Sequence, residues 1–255
     1  MTISPDLTPH DLTSAVDVLV GELLAEAGID QPPIDALALA RSSGVTVVTD
    51  RRQQTRARSK RVAGQPVIIL RPDDRPERIQ WAVAHELGEL LAVSALAKSL
   101  LDVDDLSPRG REQLANLFAT RLLLPTRSFL RDVERLDSDL PLLKERYCTA
   151  SHELIAWRLL DGERPGIVSI FDQGSLTRRR GNVVARHGDL HPAELQCQQQ
   201  AHRSGHPATR LCAGRSDQPA ISVRAWPVHE PRWKREILYT TFSDSFHSCD
   251  AFQID

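Results

Sequence analysis

The sequence predicts an α+β protein: a mainly helical core with a small β-sheet, followed by a C-terminal α+β region. Three observations predict it. Apolar residues recur at helical spacing over residues 9–28, 81–91 and 111–124. Two short β-branched or aliphatic runs, 45–49 and 65–70, supply the sheet. Beyond Gly162 to Pro165 the texture changes to short strands around one helix. The expected domain limits are therefore 1–161 and 162–255.

In chain order, Leu12, Val16, Leu19, Val20, Leu23 and Leu24 form one apolar stripe, so residues 9–28 are expected to be an amphipathic helix. Pro33 opens a second helix over 35–43, closed by Gly44. Val45–Thr49 and Gln65–Leu70 are expected to pair as a hairpin across the loop at 50–64 and to pack on the helix that follows. Residues 140–147 and 151–160 read as further helices, the latter with Ser151 as N-cap and Glu153 in its first turn. Their apolar faces include Leu142, Leu143, Leu154, Ile155 and Leu159. In the last third, 167–171 and 176–180 form a hairpin around Asp172-Gln173-Gly174, a helix runs from Pro192 to Ser204, and 221–226 and 237–242 are strands.

Composition narrows the class. The chain of 255 residues carries a formal charge of −2, which argues against a dedicated nucleic-acid binder with a strongly basic face. Its most basic stretch, Arg51 to Arg61, reads as a solvated loop tip in preference to a DNA or acidic-substrate contact, because it lacks interleaved aromatics. No run of eighteen apolar residues is present, and Met1-Thr-Ile-Ser-Pro-Asp lacks a basic, apolar leader. The expectation is a cytoplasmic protein without a membrane partner. Cys148, Cys197, Cys212 and Cys249 are irregularly spaced, as in a reducing compartment, and Cys148 is expected to be a buried thiol. His187, His191, Cys197, His202, His206 and Cys212 crowd one segment, but without a C-x-x-C pair a histidine-rich surface is favoured over a structural zinc site. There is no phosphate-binding glycine loop and no G-x-S-x-G elbow, which leaves nucleotide binding and serine hydrolysis unsupported.

The chemistry concentrates in Trp81-Ala-Val-Ala-His85-Glu86-Leu87-Gly88-Glu89, an H-E-x-x-E where a zinc peptidase carries H-E-x-x-H. Residues i and i+4 of a helix share a face, so His85 and Glu89 can hold one ion while Glu86 leans toward its water as general base. Trp81, Val83, Ala84, Leu87, Leu90 and Leu91 make the helix apolar, and Gly88 allows another backbone to come close. The dipeptides His152-Glu153 and His229-Glu230 offer no ligand at i+4 and read as surface or capping residues.

Downstream, Arg111-Glu112-Gln-Leu-Ala115-Asn116-Leu-Phe118-Ala119-Thr-Arg-Leu-Leu-Leu124-Pro125 is a helix stopped by proline. Together the two segments resemble the ImmA/IrrE family of metallopeptidases, with H-E-x-G-H followed by E-x-x-A-N-x-F-A-x-x-L-L-x-P. The likeness spans about residues 15–160. It implies a zincin-like fold, His85, Glu89 and Glu112 as metal ligands, Glu86 as catalytic base and Asn116 in support. It also implies a metal-dependent endopeptidase that cleaves a helix-turn-helix transcriptional repressor in a stress or mobile-element response. The short stretch before residue 30 leads us to expect that repressor as a separate protein.

Glu89 is the departure from the family pattern. Two carboxylates and one imidazole nearly neutralise a divalent ion, which then polarises water less. Oxygen in place of nitrogen shifts preference from zinc toward manganese or iron, although zinc still accepts the set. Two functions follow: a zinc-class peptidase of altered activity, or a catalytically impaired relative that uses the same cleft to bind a regulatory partner.

Overall fold

The structure, a computed structural model, describes residues 9–93, 96, 107–183, 189–214 and 219–243. Cys249 and His187 lie outside them. The chain forms two compact units, Met1–Ser151 and His152–Asp255. It is an α+β fold, as the sequence predicts.

In the first unit, helix α1 (Pro9–Glu26) buries Val16, Val20 and Leu24 of its expected stripe. Helix α2 (Ala36–Ser42) starts on Asp35, whose Oδ1 accepts from the backbone N–H groups of Leu37 and Ala38. Gln80 ties this cap to the next helix: its Oε1 accepts from Ala36 N at 2.7 Å and its Nε2 donates to Asp35 Oδ1 at 2.9 Å. Burial alone would raise the Asp35 pKa, but the Gln80 and backbone hydrogen bonds outweigh it and leave the carboxyl below its usual range.

The small sheet corrects one expectation. Strands β1 (Thr46–Thr49) and β3 (Gln65–Leu70) pair in parallel and do not form a hairpin. The basic stretch between them, expected as a loop, contributes strand β2 (Ala57–Val62), antiparallel to β3, in the order β1-β3-β2. The reason is the turn. Ala63 and Gly64 both have positive φ, 49° and 82°, which is what a two-residue hairpin turn demands, so Val62 and Gln65 close the ladder. Lys60 and Arg61 sit on a mostly exposed edge strand, where charge discourages further pairing.

Helix α3 (Pro76–Leu87) packs against β2 and β3 and widens into a π-turn over Gly88–Ala92. Helix α4 (Pro108–Leu123) has proline in its first turn, with Ser107 Oγ accepting from Gly110 N at 3.2 Å. It buries Leu114, Ala115, Phe118, Ala119, Leu122 and Leu123. Helices α5 (Thr126–Arg135) and α6 (Leu140–Arg146) follow. Asp132 of α5 is buried, accepting from Tyr147 Oη at 2.9 Å and pairing with Arg146. Its desolvation is outweighed by these two hydrogen bonds, which hold its carboxyl below the ordinary carboxylate value. Leu142 points to solvent, while Leu143 is buried. Cys148 also departs from expectation: it is exposed, in the turn beyond α6, where its carbonyl accepts from Lys144 Nζ.

In the second unit, α7 (His152–Arg158) begins directly after Ser151, and five antiparallel strands follow. Strands β4 (Gly166–Asp172) and β5 (Ser175–Gly181) form the expected hairpin, and α8 (Pro192–Ser204) lies on the sheet. Strands β6 (Ala208–Cys212), β7 (Ala220–Glu230) and β8 (Trp233–Ser243) complete it, in the order β5-β4-β8-β7-β6. Strand β6 escapes a sequence reading because it is a short, mainly exposed edge. Strand β7 runs on through Pro227 because β6 pairs only with Ile221–Ala225, so beyond Ala225 that side of β7 is an edge. Helix α8 buries Ala193, Cys197 and Ala201 against Val223, Ala225 and Leu238. Cys197 is therefore a core thiol, donating to the Ala208 carbonyl at 3.2 Å, and burial pushes its pKa up to about 11. No described helix is long and apolar enough to cross a membrane.

Candidate metal centre

The site is assembled where α3 crosses α4, and Gly88 makes the crossing close. A Cβ built on Gly88 would lie 2.9 Å from Ala115 Cα and 3.2 Å from Phe118 Cβ, so a larger residue would push the helices apart. The approach anticipated from the sequence thus sets His85 and Glu89 of the first motif against residues 111–116 of the second. One ligand atom from each of His85, Glu89 and Glu112 can be chosen so that all three lie within 4.8 Å of one another.

Asn116 organises this group. Its Oδ1 lies 3.1 Å from His85 Nδ1, and its Nδ2 donates to Glu112 Oε1 at 3.0 Å. An amide oxygen only accepts, so His85 carries its proton on Nδ1 and leaves the Nε2 lone pair free. That lone pair stands 3.5 Å from Glu112 Oε2. The chemistry of these donors fits a divalent ion: a fixed imidazole nitrogen, a carboxylate that is 61% exposed, and an amide that orients both from behind. Glu86 is buried beside them on α3.

Arg111 is the residue that sequence reasoning missed. Its guanidinium donates to Glu89 Oε2 from Nη2 at 3.2 Å and from Nε at 3.4 Å. The proposed replacement ligand is thus also an ion-pair partner, and a metal must share it or displace the arginine. The signal was present in outline. A carboxylate stands where the family pattern has histidine, and a base stands immediately before Glu112, the first residue of the second motif.

Two helices carrying His-Glu-x-x-Glu and Glu-x-x-x-Asn beside a small mixed sheet give the first unit a zincin-like fold. Residues 40–159 match the IrrE N-terminal-like domain, Peptidase_M78, in agreement with the resemblance that the two motifs carry. The chain is also 31% identical over 187 residues to the HTH-type transcriptional regulator PrpR of Mycobacterium tuberculosis, a match covering 69% of this chain and 37% of that protein. It thus spans little more than a third of the curated relative it matches. A solved Mycobacterium tuberculosis transcriptional regulator shares the fold, with a TM-score of 0.66 at 22% identity, covering 91% of this chain and 77% of that one.

Proposed function

We propose that residues 1–161 act as a metal-dependent endopeptidase domain, with residues 162–255 as a separate α+β region. His85, Glu89 and Glu112 would hold the ion, zinc in the first instance, with manganese or iron favoured by the second carboxylate. The observation that carries this reading is Asn116, which fixes the His85 tautomer and the Glu112 carboxylate together. When bound, the ion supplies Lewis acidity toward a peptide carbonyl and lowers the pKa of a water. Glu86 takes the proton of the attacking water at a carboxylate oxygen and passes it to the leaving amine. The substrate is a partner protein such as a helix-turn-helix repressor in a stress or mobile-element response, a reading supported by the regulator named among the relatives. That partner is a separate protein in this reading, and direct nucleic-acid binding is no part of it.

The Arg111–Glu89 pair favours a second reading, a catalytically impaired domain that uses the cleft to hold the same kind of partner. Here a fixed guanidinium supplies the positive charge at Glu89.

Metal content of the purified chain, wild type beside His85→Ala, tests the first reading. One equivalent lost in the variant supports it; identical contents in the two proteins would overturn it. Glu86→Gln should then retain the metal and lose roughly 100-fold or more of any cleavage rate, as expected for loss of a general base. A Glu86→Gln protein that still functions at wild-type level would favour the binding module.

A further inference from the structure

Two buried carboxylates lie between helix α8 and the five-stranded sheet, Glu194 on the helix and Glu236 on β8, and they are neutralised differently. Glu194 receives a bidentate guanidinium, Arg179 Nη1 and Nη2 donating to its two oxygens at 2.9 and 3.0 Å, with Thr240 Oγ1 adding a third bond at 2.6 Å. Glu236 of β8, which is 0% exposed, is met by imidazoles and an amide. His202 Nδ1 of α8 lies 2.9 Å from its Oε1, and His229 Nε2 of β7 lies 2.7 Å from the same oxygen. Gln198 Nε2 donates to Oε2 at 3.1 Å.

The register explains the convergence. Pro227 pairs with Glu236 and His229 with Lys234, so His229 and Glu236 are diagonal neighbours on one face of the β7–β8 ladder. That is the face α8 covers, and Gln198 and His202, four apart, reach it from successive turns. A carboxylate withdrawn this fully from water requires a compensating positive charge. Glu194 has one in Arg179. At Glu236 the candidates are a proton on one imidazole or a cation held by both.

We propose that His202, His229 and Glu236 form a second divalent transition-metal site, of the zinc class, separate from the one on α3 and α4. One protonated histidine would satisfy the charge, yet two ring nitrogens from different elements converge on a single oxygen, and the three donors form a two-nitrogen, one-oxygen set. Zinc bonds of about 2.0–2.1 Å require tetrahedral ligand atoms roughly 3.3 Å apart, so each imidazole need retreat by only about half an ångström. Proton balance is maintained. The metal takes the place of the extra proton, which leaves to solvent, and each ring keeps its remaining proton on its other nitrogen, freeing Nδ1 of His202 and Nε2 of His229. Gln198 holds the second carboxylate oxygen, the outer support usual for a ligating carboxylate. The His202 and His229 side chains remain 32% and 21% exposed, which leaves an entry path and room for water at a fourth position.

The cluster answers the histidine and cysteine crowding seen in the sequence. Among the described members of that group only His202 takes part; Cys197 is in the core, His191 caps α8, and His206 is exposed and bonded locally to the Ser204 carbonyl. His229, which reads as a surface residue beside Glu230, is a principal donor.

The test uses the full chain in the His85→Ala background, stripped with chelator and titrated with Zn²⁺ and with Co²⁺. One equivalent is expected, with the strong visible absorption of four- or five-coordinate cobalt. His229→Asn and His202→Asn should each abolish it, and Gln198→Leu should weaken it about tenfold. Far-UV circular dichroism of each variant confirms folding, and a zinc-induced rise in melting temperature that disappears in His229→Asn gives a second readout. No bound equivalent in the His85→Ala protein, or one that survives both histidine changes, would falsify the site. Because the first metal site is absent from this background, its own failure leaves this result unaffected.

Discussion

The two histidine–glutamate clusters are built in opposite ways. At residues 85–116 the donors sit on two crossing helices in short local motifs, the outermost carboxylate is largely in water, and a neighbouring arginine already bonds one ligand. At residues 198–236 the donors come from a helix and two strands, and the carboxylate is sealed from solvent at the centre. A carboxylate in water tolerates the loss of its partners, whereas a buried one does not. The first cluster is therefore suited to exchange metal, substrate and water; the second is suited to stability.

The first unit has its own buried carboxylate, and it supplies the largest expected effect. Asp132→Ala removes the partner of Arg146 and Tyr147 and should cost about 3 kcal/mol in urea unfolding. Because the folded pKa of Asp132 lies below the ordinary 3.8, its contribution is complete above that value and fades as pH falls through the lower folded one. The gap between wild type and variant should therefore be constant from pH 7 to 5 and close in stronger acid. A gap that instead widens on acidification would contradict the assignment.

Next, Glu236→Ala and Glu112→Ala, compared in chelator-treated protein, put the contrast directly. The former orphans three polar groups and should lose about 1–3 kcal/mol; the latter, at an exposed position, should stay within about 0.5 kcal/mol. Equal losses would erase the distinction between the clusters. Gly88→Ala follows, at about 1–3 kcal/mol, because its new methyl meets the α4 backbone at Ala115. Unchanged stability there would mean that α3 and α4 separate freely. The smallest effect belongs to Arg111→Gln, which frees Glu89 from an exposed pair and should tighten zinc at the first cluster about two- to fivefold by calorimetry. Weaker binding in that variant would show Arg111 supporting the site.

By itself the sequence determined the local features. Helical periodicity and proline stops located α1, α3, α4 and α8, since each depends on neighbours within a turn or two. The spacing of His85 and Glu89, and of Glu112 and Asn116, placed those pairs on common helix faces for the same reason. Gly88 announced a close approach before its partner Ala115 was known.

Tertiary structure decided the rest. Strand β3 pairs with β1 in parallel because a two-residue turn commits its other edge to β2, and pairing across an intervening segment leaves no periodic trace. The Arg111–Glu89 bond spans 22 residues between two helices whose relative rotation no spacing encodes. His202, His229 and Glu236 meet only because a strand register and a docked helix bring one face of each element to the same point. Short-range order is set by backbone geometry within a few residues, whereas such meetings are set by which surfaces pack together, and packing is a property of the whole folded unit.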